Sequence, residues 1–264
     1  MNKERVLADN CRVVETPPDQ LSKLGVCGYK NIEKQKPFQL KDNWYRQQYS
    51  KGLRIKSLVT PEGSSQGMIE YIPGEFAWRP VVAGNYMFIH CLFVGYKKEY
   101  KGKAYASGLI HAVIDDARKE KKLGVAVVTR KSSFMAGKEI FLKNDFTEVD
   151  KAVPDFDLLA FKFDESSPSP SFLIKDDFLD PYGEGLFILR ADQCPYSVKN
   201  VEDMIDVARK FGLNAEIINL KSHIDAQHSP CAFGTFCIIL DGEVISYHPI
   251  SGTRLRNILA TKLP

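Results

Sequence analysis

Lysines are concentrated between a strand-like apolar stretch, residues 87–94, and a helical stretch that follows it. The basic side chains of this turn are Lys97, Lys98, Lys101 and Lys103. The first backbone N–H groups of a helix have no intrahelical acceptor, and the helix dipole favours negative charge at that end. A strand, a basic turn and a helix start therefore predict an anion site, and we expect its ligand to carry phosphate.

The helix after this turn is predicted from its apolar period. Apolar residues recur at spacings of three and four, which places them on one buried face. That face consists of Ala106, Leu109, Ile110, Val113, Ile114 and Ala117. The turn itself lacks the Gly-x-x-x-x-Gly-Lys-Ser/Thr pattern of P-loops and the Gly-x-Gly-x-x-Gly pattern of dinucleotide-binding folds. The sequence therefore disfavours a nucleotide bound by a P-loop and a dinucleotide bound by a glycine-rich turn.

Residues 101–106, Lys-Gly-Lys-Ala-Tyr-Ala, resemble the pyrophosphate loop of the GNAT acyltransferase superfamily, written Gln/Arg-x-x-Gly-x-Gly/Ala. Lys101 takes the Gln/Arg place and Ala106 the Gly/Ala place. Ala104 departs from the first glycine, and its Cβ limits how closely the backbone approaches a phosphate. The resemblance implies acetyl-CoA as cosubstrate, bound by this loop and by the strand before it. The cofactor-binding residues so assigned are Cys91, Leu92, Phe93, Val94, Lys101, Gly102, Lys103, Ala104, Tyr105, Ala106, Ser107 and Phe141.

The surrounding segments fit the same family. Residues 133–146 resemble its next helix and turn, with Ile140-Phe141 in the place of a Phe-Tyr pair and Asp145-Phe146 in the place of a Gly-Phe pair. We expect strands at 10–15, 53–60, 68–72, 124–129, 146–153 and 157–163, and helices from residue 16 and around 40–51. The resemblance covers residues 1–165 and implies a GNAT fold with a central mixed, mostly antiparallel sheet.

Acetyl transfer to an amine needs a base, a stabilised oxyanion and a proton for the leaving thiolate. His90 is the first candidate base, because it lies on the strand that should pass the thioester and imidazoles titrate near neutral pH. Glu70 is the second. Two alternatives stay open: His90 as a core residue, and Glu70 as a solvent-facing carboxylate. The resemblance implies an oxyanion-binding N–H within residues 90–94, while Phe141 replaces the tyrosine that many members use as the acid.

The composition of the chain limits which other kinds of protein it could be. The chain has 264 residues, a formal net charge of +3 and six cysteines, none in a CxxC pair. That charge is too small to argue for nucleic acid, and no apolar run is long enough for a signal peptide or a membrane span. We expect a cytoplasmic protein with reduced thiols, no metal, no membrane association and a small-molecule or peptide amine as acceptor. A homodimer is an open alternative.

A second domain follows a Ser/Pro-rich linker at residues 166–181. Residues 182–264 show the order strand, helix, strand, then a hairpin across Asp241-Gly242 and a last helix. The segment Cys194-Pro-Tyr-Ser197 looks like the glutaredoxin Cys-Pro-Tyr-Cys motif with serine in the second place. The resemblance implies a small thioredoxin-like α/β domain, with Pro230 as its cis-proline and Cys231 close to Cys194. The fold class is therefore α/β (α+β), and the whole chain resembles GNAT domains that carry a C-terminal YoaP-like domain.

Two functions stay open at this point. The first is an acetyl-CoA-dependent N-acetyltransferase with an unidentified amine acceptor. The second is a thiol-dependent redox or binding protein in which Cys194 does the chemistry and the CoA site is vestigial or regulatory. Without a cysteine at position 197, dithiol exchange within the motif is excluded.

Overall fold

The computed structural model of the protein describes residues 5–24, 35–95, 100 and 102–263. The chain forms two compact units that are discontinuous in sequence. The first unit comprises residues 1–35, 45–77 and 82–171, and the second comprises residues 36–44, 78–81 and 172–264. The domain boundaries expected from the sequence, 1–165, 166–181 and 182–264, stay a prediction.

The described elements have the following bounds. The strands are β1 (Arg5–Val6), β2 (Arg12–Glu15), β3 (Arg54–Val59), β4 (Ser65–Pro73), β5 (Val81–Val82), β6 (Tyr86–Val94), β7 (Gly124–Thr129), β8 (Thr147–Ala152), β9 (Phe156–Lys162), β10 (Ser171–Phe172), β11 (Leu186–Arg190), β12 (Ala215–Asn219), β13 (Phe236–Leu240) and β14 (Glu243–Ser246). The helices are α1 (Leu21–Leu24), α2 (Lys36–Tyr49), α3 (Tyr105–Lys119), α4 (Glu139–Leu142), α5 (Pro195–Lys199), α6 (Val201–Lys210), α7 (His223–Gln227) and α8 (Gly252–Lys262). Short 3₁₀ turns lie at Ala8–Asn10, Pro18–Gln20, Gly74–Phe76 and Asp176–Leu179.

An eight-stranded sheet in the order β1-β2-β3-β4-β6-β7-β9-β8 dominates the first unit. Neighbouring strands are antiparallel except β6 and β7, which are parallel. This confirms the predicted mixed, mostly antiparallel sheet. Parallel neighbours need a crossover connection, and α3 supplies it between β6 and β7. Nowhere in the described ranges does a helix combine the length and apolarity that crossing a bilayer requires.

Helix α3 packs its apolar face against the sheet. Leu109 and Val113 have no exposed surface, and they share a core with Tyr71 of β4 and Ile89 of β6. Full burial of a leucine or valine side chain stabilises the folded state by about 1.5–3 kcal/mol. The predicted apolar face is confirmed, although Ala106 in the first turn is only half-buried.

A largely buried ion pair ties α3 to two strands. Asp116 Oδ2 lies 2.6 Å from Lys56 Nζ of β3 and accepts a 2.6 Å hydrogen bond from the Tyr71 hydroxyl of β4. Burial alone would raise the pKa of Asp116, but the hydrogen bonds from Lys56 and Tyr71 outweigh it and the net shift is downward. The carboxylate therefore stays charged and holds α3 in position over the sheet.

Asp116→Asn is expected to lower the free energy of unfolding by about 1–2 kcal/mol at neutral pH, because Lys56 loses its counter-ion while solvent still screens the pair. The folded-state pKa of Asp116 lies below its unfolded value. The stabilisation is therefore present above the unfolded pKa and is lost as pH falls through the folded one. Urea unfolding of both proteins should show the difference narrowing below about pH 4. A difference that widens on acidification would contradict this account of α3.

A four-stranded sheet in the order β12-β11-β13-β14 forms the second unit. Strands β11 and β12 are parallel, whereas β13 is antiparallel to both β11 and β14. The β13–β14 turn has positive φ at Asp241 (49°) and Gly242 (78°), as a type I′ turn requires, so the predicted hairpin is confirmed. Among the described residues, Val153–Pro154 is the one cis peptide bond, and the bond before Pro230 is trans. The expectation of a cis bond before Pro230 is therefore wrong.

Candidate active site

Strand β6 parts from β7 halfway along its length. Residues 86–89 of β6 pair with residues 124–127 of β7, although β6 continues to Val94. On its other edge β6 stays paired with β4 as far as Val94. Beyond residue 89 the β7-facing edge of β6 therefore borders a cleft instead of forming a ladder with β7. A strand edge of this kind can pair with amide groups of an extended ligand.

The cleft between the two diverging strands is largely apolar. Its walls include His90, Cys91 and Leu92 of β6, Val127 and Val128 of β7, and Phe141 of α4. Cys91, Leu92 and Phe141, which the sequence assigned to acetyl-CoA, are thus brought to one place. Phe93 and Val94 continue the same strand and are half-buried.

A β-bulge lies at the point where β6 leaves β7. Glu70 of β4 pairs with Cys91, and the next residue, Tyr71, pairs with Ile89. His90 is therefore an extra residue, and His90 and Cys91 together oppose Glu70. A bulge bends its strand and re-aims the side chains it carries.

His90 and Glu70 form a buried pair in this bulge. His90 Nδ1 lies 3.3 Å from Glu70 Oε1, and the exposed fractions of the two side chains are 0% and 2%. The expectation that Glu70 could face solvent is therefore wrong. The Glu70 carboxylate therefore lies at ion-pair distance from the imidazole, close enough to influence the orientation of the ring. The pair has the composition of a general base with a positioning carboxylate.

The turn before α3 keeps a glycine-type backbone even where it contains alanine. Gly102 has φ 75° and Ala104 has φ 56°, both in the left-handed region. A residue with a Cβ adopts that conformation at a cost of about 1–2 kcal/mol. Ala104 is the N-cap of α3 and offers no capping side chain. The N–H groups of residues 105–107 therefore stand at a helix start suited to an anion.

The side chains of this loop contact the N-terminal segment. Lys103 forms an ion pair with Asp9, and the Tyr105 hydroxyl donates a 2.9 Å hydrogen bond to Asp9 Oδ2. Hydrogen bonds from Lys103 and then Tyr105 lower the pKa of Asp9. Tyr105 is 2% exposed, so its ring is buried beneath the loop. Lys97, Lys98 and Lys101 lie outside the described residues.

Asp9 and Asn144 were not found from the sequence. Asn144 Nδ2 donates hydrogen bonds to Ser107 Oγ (3.0 Å) and to the Ile140 carbonyl (2.7 Å), which joins the start of α3 to the end of α4. Asn144 falls at an unspecified position of the motif in residues 133–146, and Asp9 lies 94 positions from Lys103, so no local pattern signals these contacts. Phe141 is fully buried with its ring edge-on to Phe146, and a phenyl group has no proton to give.

The cysteines of the second unit do not form a dithiol at the Cys194 motif. Ser197 Oγ lies 2.7 Å from the Cys194 carbonyl and 2.8 Å from the Ala191 carbonyl, so this hydroxyl is bonded to the backbone. A hydrogen bond with Cys231, together with burial, raises the pKa of Cys237. Within the described ranges no group of three His, Cys, Asp or Glu side chains could hold a metal ion.

Two comparisons by sequence find relatives. A family model described as YoaP-like matches residues 215–257, which confirms the predicted YoaP-like resemblance for that segment. A curated protein of Bacillus subtilis (strain 168), named "Uncharacterized N-acetyltransferase YoaP", is 29% identical over 225 residues, or 84% of this chain and 87% of the relative.

Solved structures give weaker likenesses. The PaiA N-acetyltransferase of Thermoplasma acidophilum in complex with coenzyme A is 17% identical with a TM-score of 0.39, covering 58% of this chain and 99% of that one. The GNAT domain of S. lividans PAT is 12% identical with a TM-score of 0.44, covering 61% and 96%. By sequence, then, the chain is similar over most of its length to a bacterial protein named an N-acetyltransferase.

Proposed function

We propose that the protein transfers an acetyl group from acetyl-CoA to the amine of a small molecule or peptide. The observation that carries this proposal is the divergence of the parallel strands β6 and β7 after residue 89. The chain continues from β6 to the N-terminus of α3, where no side chain caps the helix. The 29% identity with a relative named an N-acetyltransferase supports the same activity.

The two parts of the site suit the two chemically different parts of acetyl-CoA. Its pyrophosphate is anionic, and the N–H groups of residues 105–107, with the left-handed backbone at Gly102 and Ala104, suit an anion. Its pantetheine arm carries amides on an apolar chain. The diverging edge of β6 would pair with those amides, and the apolar walls of the cleft would cover the chain.

The bulge would place the acid–base chemistry beside the thioester. The His90 imidazole would take a proton from the acceptor amine, and Glu70 would hold the ring and stabilise the imidazolium that forms. Those backbone N–H groups of residues 90–94 that point away from β4 would be the donors for the developing oxyanion, since that edge of β6 borders the cleft. No tyrosine acid is needed at Phe141, because an ordinary thiol has a pKa of only about 8.5 and its thiolate leaves readily.

We infer a thioredoxin-like arrangement for the second unit. Its support is the strand order β12-β11-β13-β14, with β11 and β12 parallel around α5 and α6, a β13–β14 hairpin and a closing helix α8. A thiol-exchange function gains no support, because the motif lacks a second cysteine and Ser197 is bonded to the backbone. The proposed activity therefore does not use Cys194.

Hydrogen–deuterium exchange with desulfo-CoA tests the placement of the cosubstrate. When the protein is saturated, the amides of residues 105–107 and those amides of residues 90–94 that point away from β4 should exchange at least about tenfold more slowly, because they become hydrogen-bonded to the ligand. Amides of β12, in the second unit, serve as the internal reference. Binding without protection at residues 90–94 would contradict the proposed site.

A further inference from the structure

The loop between β7 and α4 closes one side of the cleft. Residues 130–138, here called the cleft loop, connect β7 with α4. Phe134, Met135 and Ala136 of this loop line the cleft together with residues of β6 and β7. The space left free between these walls is about 10 Å³, which is close to what one water molecule needs. A group much larger than a methyl therefore does not fit unless a wall is displaced.

Ion pairs hold both ends of the cleft loop. Arg130 at its start pairs with Asp155, which lies in the turn between β8 and β9. At its end, Lys138 Nζ lies 2.6 Å from Glu148 Oε1 and 3.1 Å from Asp157 Oδ2. A partly exposed ion pair contributes little to overall stability. Pairs at both ends nevertheless fix where the loop leaves and rejoins the body of the first unit.

Phe134 has a backbone conformation that is unusual for a bulky residue. Its φ is 69°, in the left-handed region, and the residue is 43% exposed. A residue with a large side chain rarely adopts this conformation. Strained residues of this kind concentrate at ligand-binding and catalytic sites, where the strain accompanies a particular placement of the side chain. The position of Phe134 beside an apolar cleft fits that pattern.

The direction of β6 indicates which part of the cosubstrate reaches this space. Strand β6 runs from Tyr86 to Val94, and the chain then leads to the start of α3, where the proposed pyrophosphate site lies. The pantetheine arm would therefore run back along β6 and bring its thioester towards Ile89, where β6 and β7 part. The strand residues around that point, Ile89, Val127 and Val128, are at most 5% exposed. The acyl group would thus lie among the walls that leave so little free space.

We propose that Phe134 and Met135 restrict the acyl donor to acetyl-CoA by filling the space that a longer acyl chain would need. This inference rests on the proposed acetyl-CoA site and names the residues that determine its acyl specificity. The strand walls are fixed by their ladders and by the core, so the side chains of the cleft loop are the ones whose size decides. Each methylene beyond acetyl would have to displace them, and tightly packed walls resist displacement.

Calorimetric titration with CoA, acetyl-CoA and butyryl-CoA tests this role without knowledge of the acceptor. The wild-type protein is expected to bind butyryl-CoA at least about tenfold more weakly than acetyl-CoA, because two further methylenes must be accommodated. Phe134→Ala should bring the two dissociation constants to within about threefold of each other, since removal of the ring opens the space. Met135→Ala should change the ratio in the same direction and serves as a second, independent variant.

Leu142→Ala is the matched control. Leu142 of α4 is 42% exposed, almost the same as Phe134, and lies outside the described walls of the cleft. This variant should keep the wild-type ratio of the two dissociation constants. Binding of CoA, which has no acyl group, verifies that the site is folded in each variant.

The outcomes separate this inference from the proposed function. Equal affinity of the wild-type protein for acetyl-CoA and butyryl-CoA would overturn the role of the cleft loop. A preference for acetyl-CoA that persists in both Phe134→Ala and Met135→Ala would also overturn it, and in either case the acetyltransferase proposal would stand. Failure of the wild-type protein to bind any of the three compounds would overturn both proposals together.

Discussion

His90→Gln is expected to lower kcat/KM for acetyl transfer by about 10²–10⁴, because a glutamine amide cannot take up the proton that the reaction releases. The imidazole is buried beside Glu70 in the bulge of β6, where solvent cannot easily replace it as a base. Turnover of acetyl-CoA with an amine chosen from a panel of small-molecule and peptide amines would measure the loss. The dissociation constant of desulfo-CoA should change little, since the side chain acts on the reacting groups.

Glu70→Gln is the companion variant, as it keeps the shape of the side chain and removes its charge. As a positioning residue Glu70 should affect kcat more than KM, with a loss of about 10–100-fold, because the imidazolium loses its counter-charge. Combining it with His90→Gln should add little further loss, since the two act as a unit. If both single variants kept activity within about threefold of wild type, the pair would be a structural feature of the core and the base would lie elsewhere.

The second large effect is expected at Ala104. Aspartate and asparagine both tolerate the left-handed conformation found there, and they are similar in size. They differ in charge, and a carboxylate at this exposed position would repel a pyrophosphate at the start of α3. Ala104→Asp is therefore expected to raise the dissociation constant of acetyl-CoA by about 10–100-fold, an effect that added salt should weaken.

Ala104→Asn is the control for this prediction, with folding stability equal to or above that of wild type and nearly unchanged affinity. Acetyl-pantetheine, which lacks the pyrophosphate, separates the two parts of the site. Its binding should be the same in the Asp and Asn variants. Equal affinity of both variants for acetyl-CoA would contradict the assignment of the pyrophosphate to this helix start.

The elements of the fold that local patterns determine were predictable. The period of α3 follows from the need to bury one helix face, and its predicted residues are buried apart from half-buried Ala106. The hairpin at Asp241-Gly242 was predictable because two residues with positive φ are required there. The strand of His90 was predictable from its apolar run, and its bounds agree with β6 to within one residue at the start.

The features that give the site its chemistry depend on pairing between distant segments. The bulge at His90 exists only in the register between β6 and β4, so the sequence alone could not bring His90, Cys91 and Glu70 to one face. The partner of Lys103, Asp9, is likewise remote in the chain, and no local pattern indicates this contact. The predicted helix within residues 133–146 is short, Glu139–Leu142, because the segment before it forms turns.

The central claim is that acetyl-CoA binds where β6 separates from β7 and at the start of α3. Calorimetric titration of acetyl-CoA, with desulfo-CoA in parallel, tests this claim most directly. The account predicts saturable binding of both ligands, with one site per chain and a dissociation constant in the micromolar range or below. Absence of detectable binding by either ligand would contradict it. The left-handed backbone at Gly102 and Ala104 would then be a structural feature without a phosphate ligand.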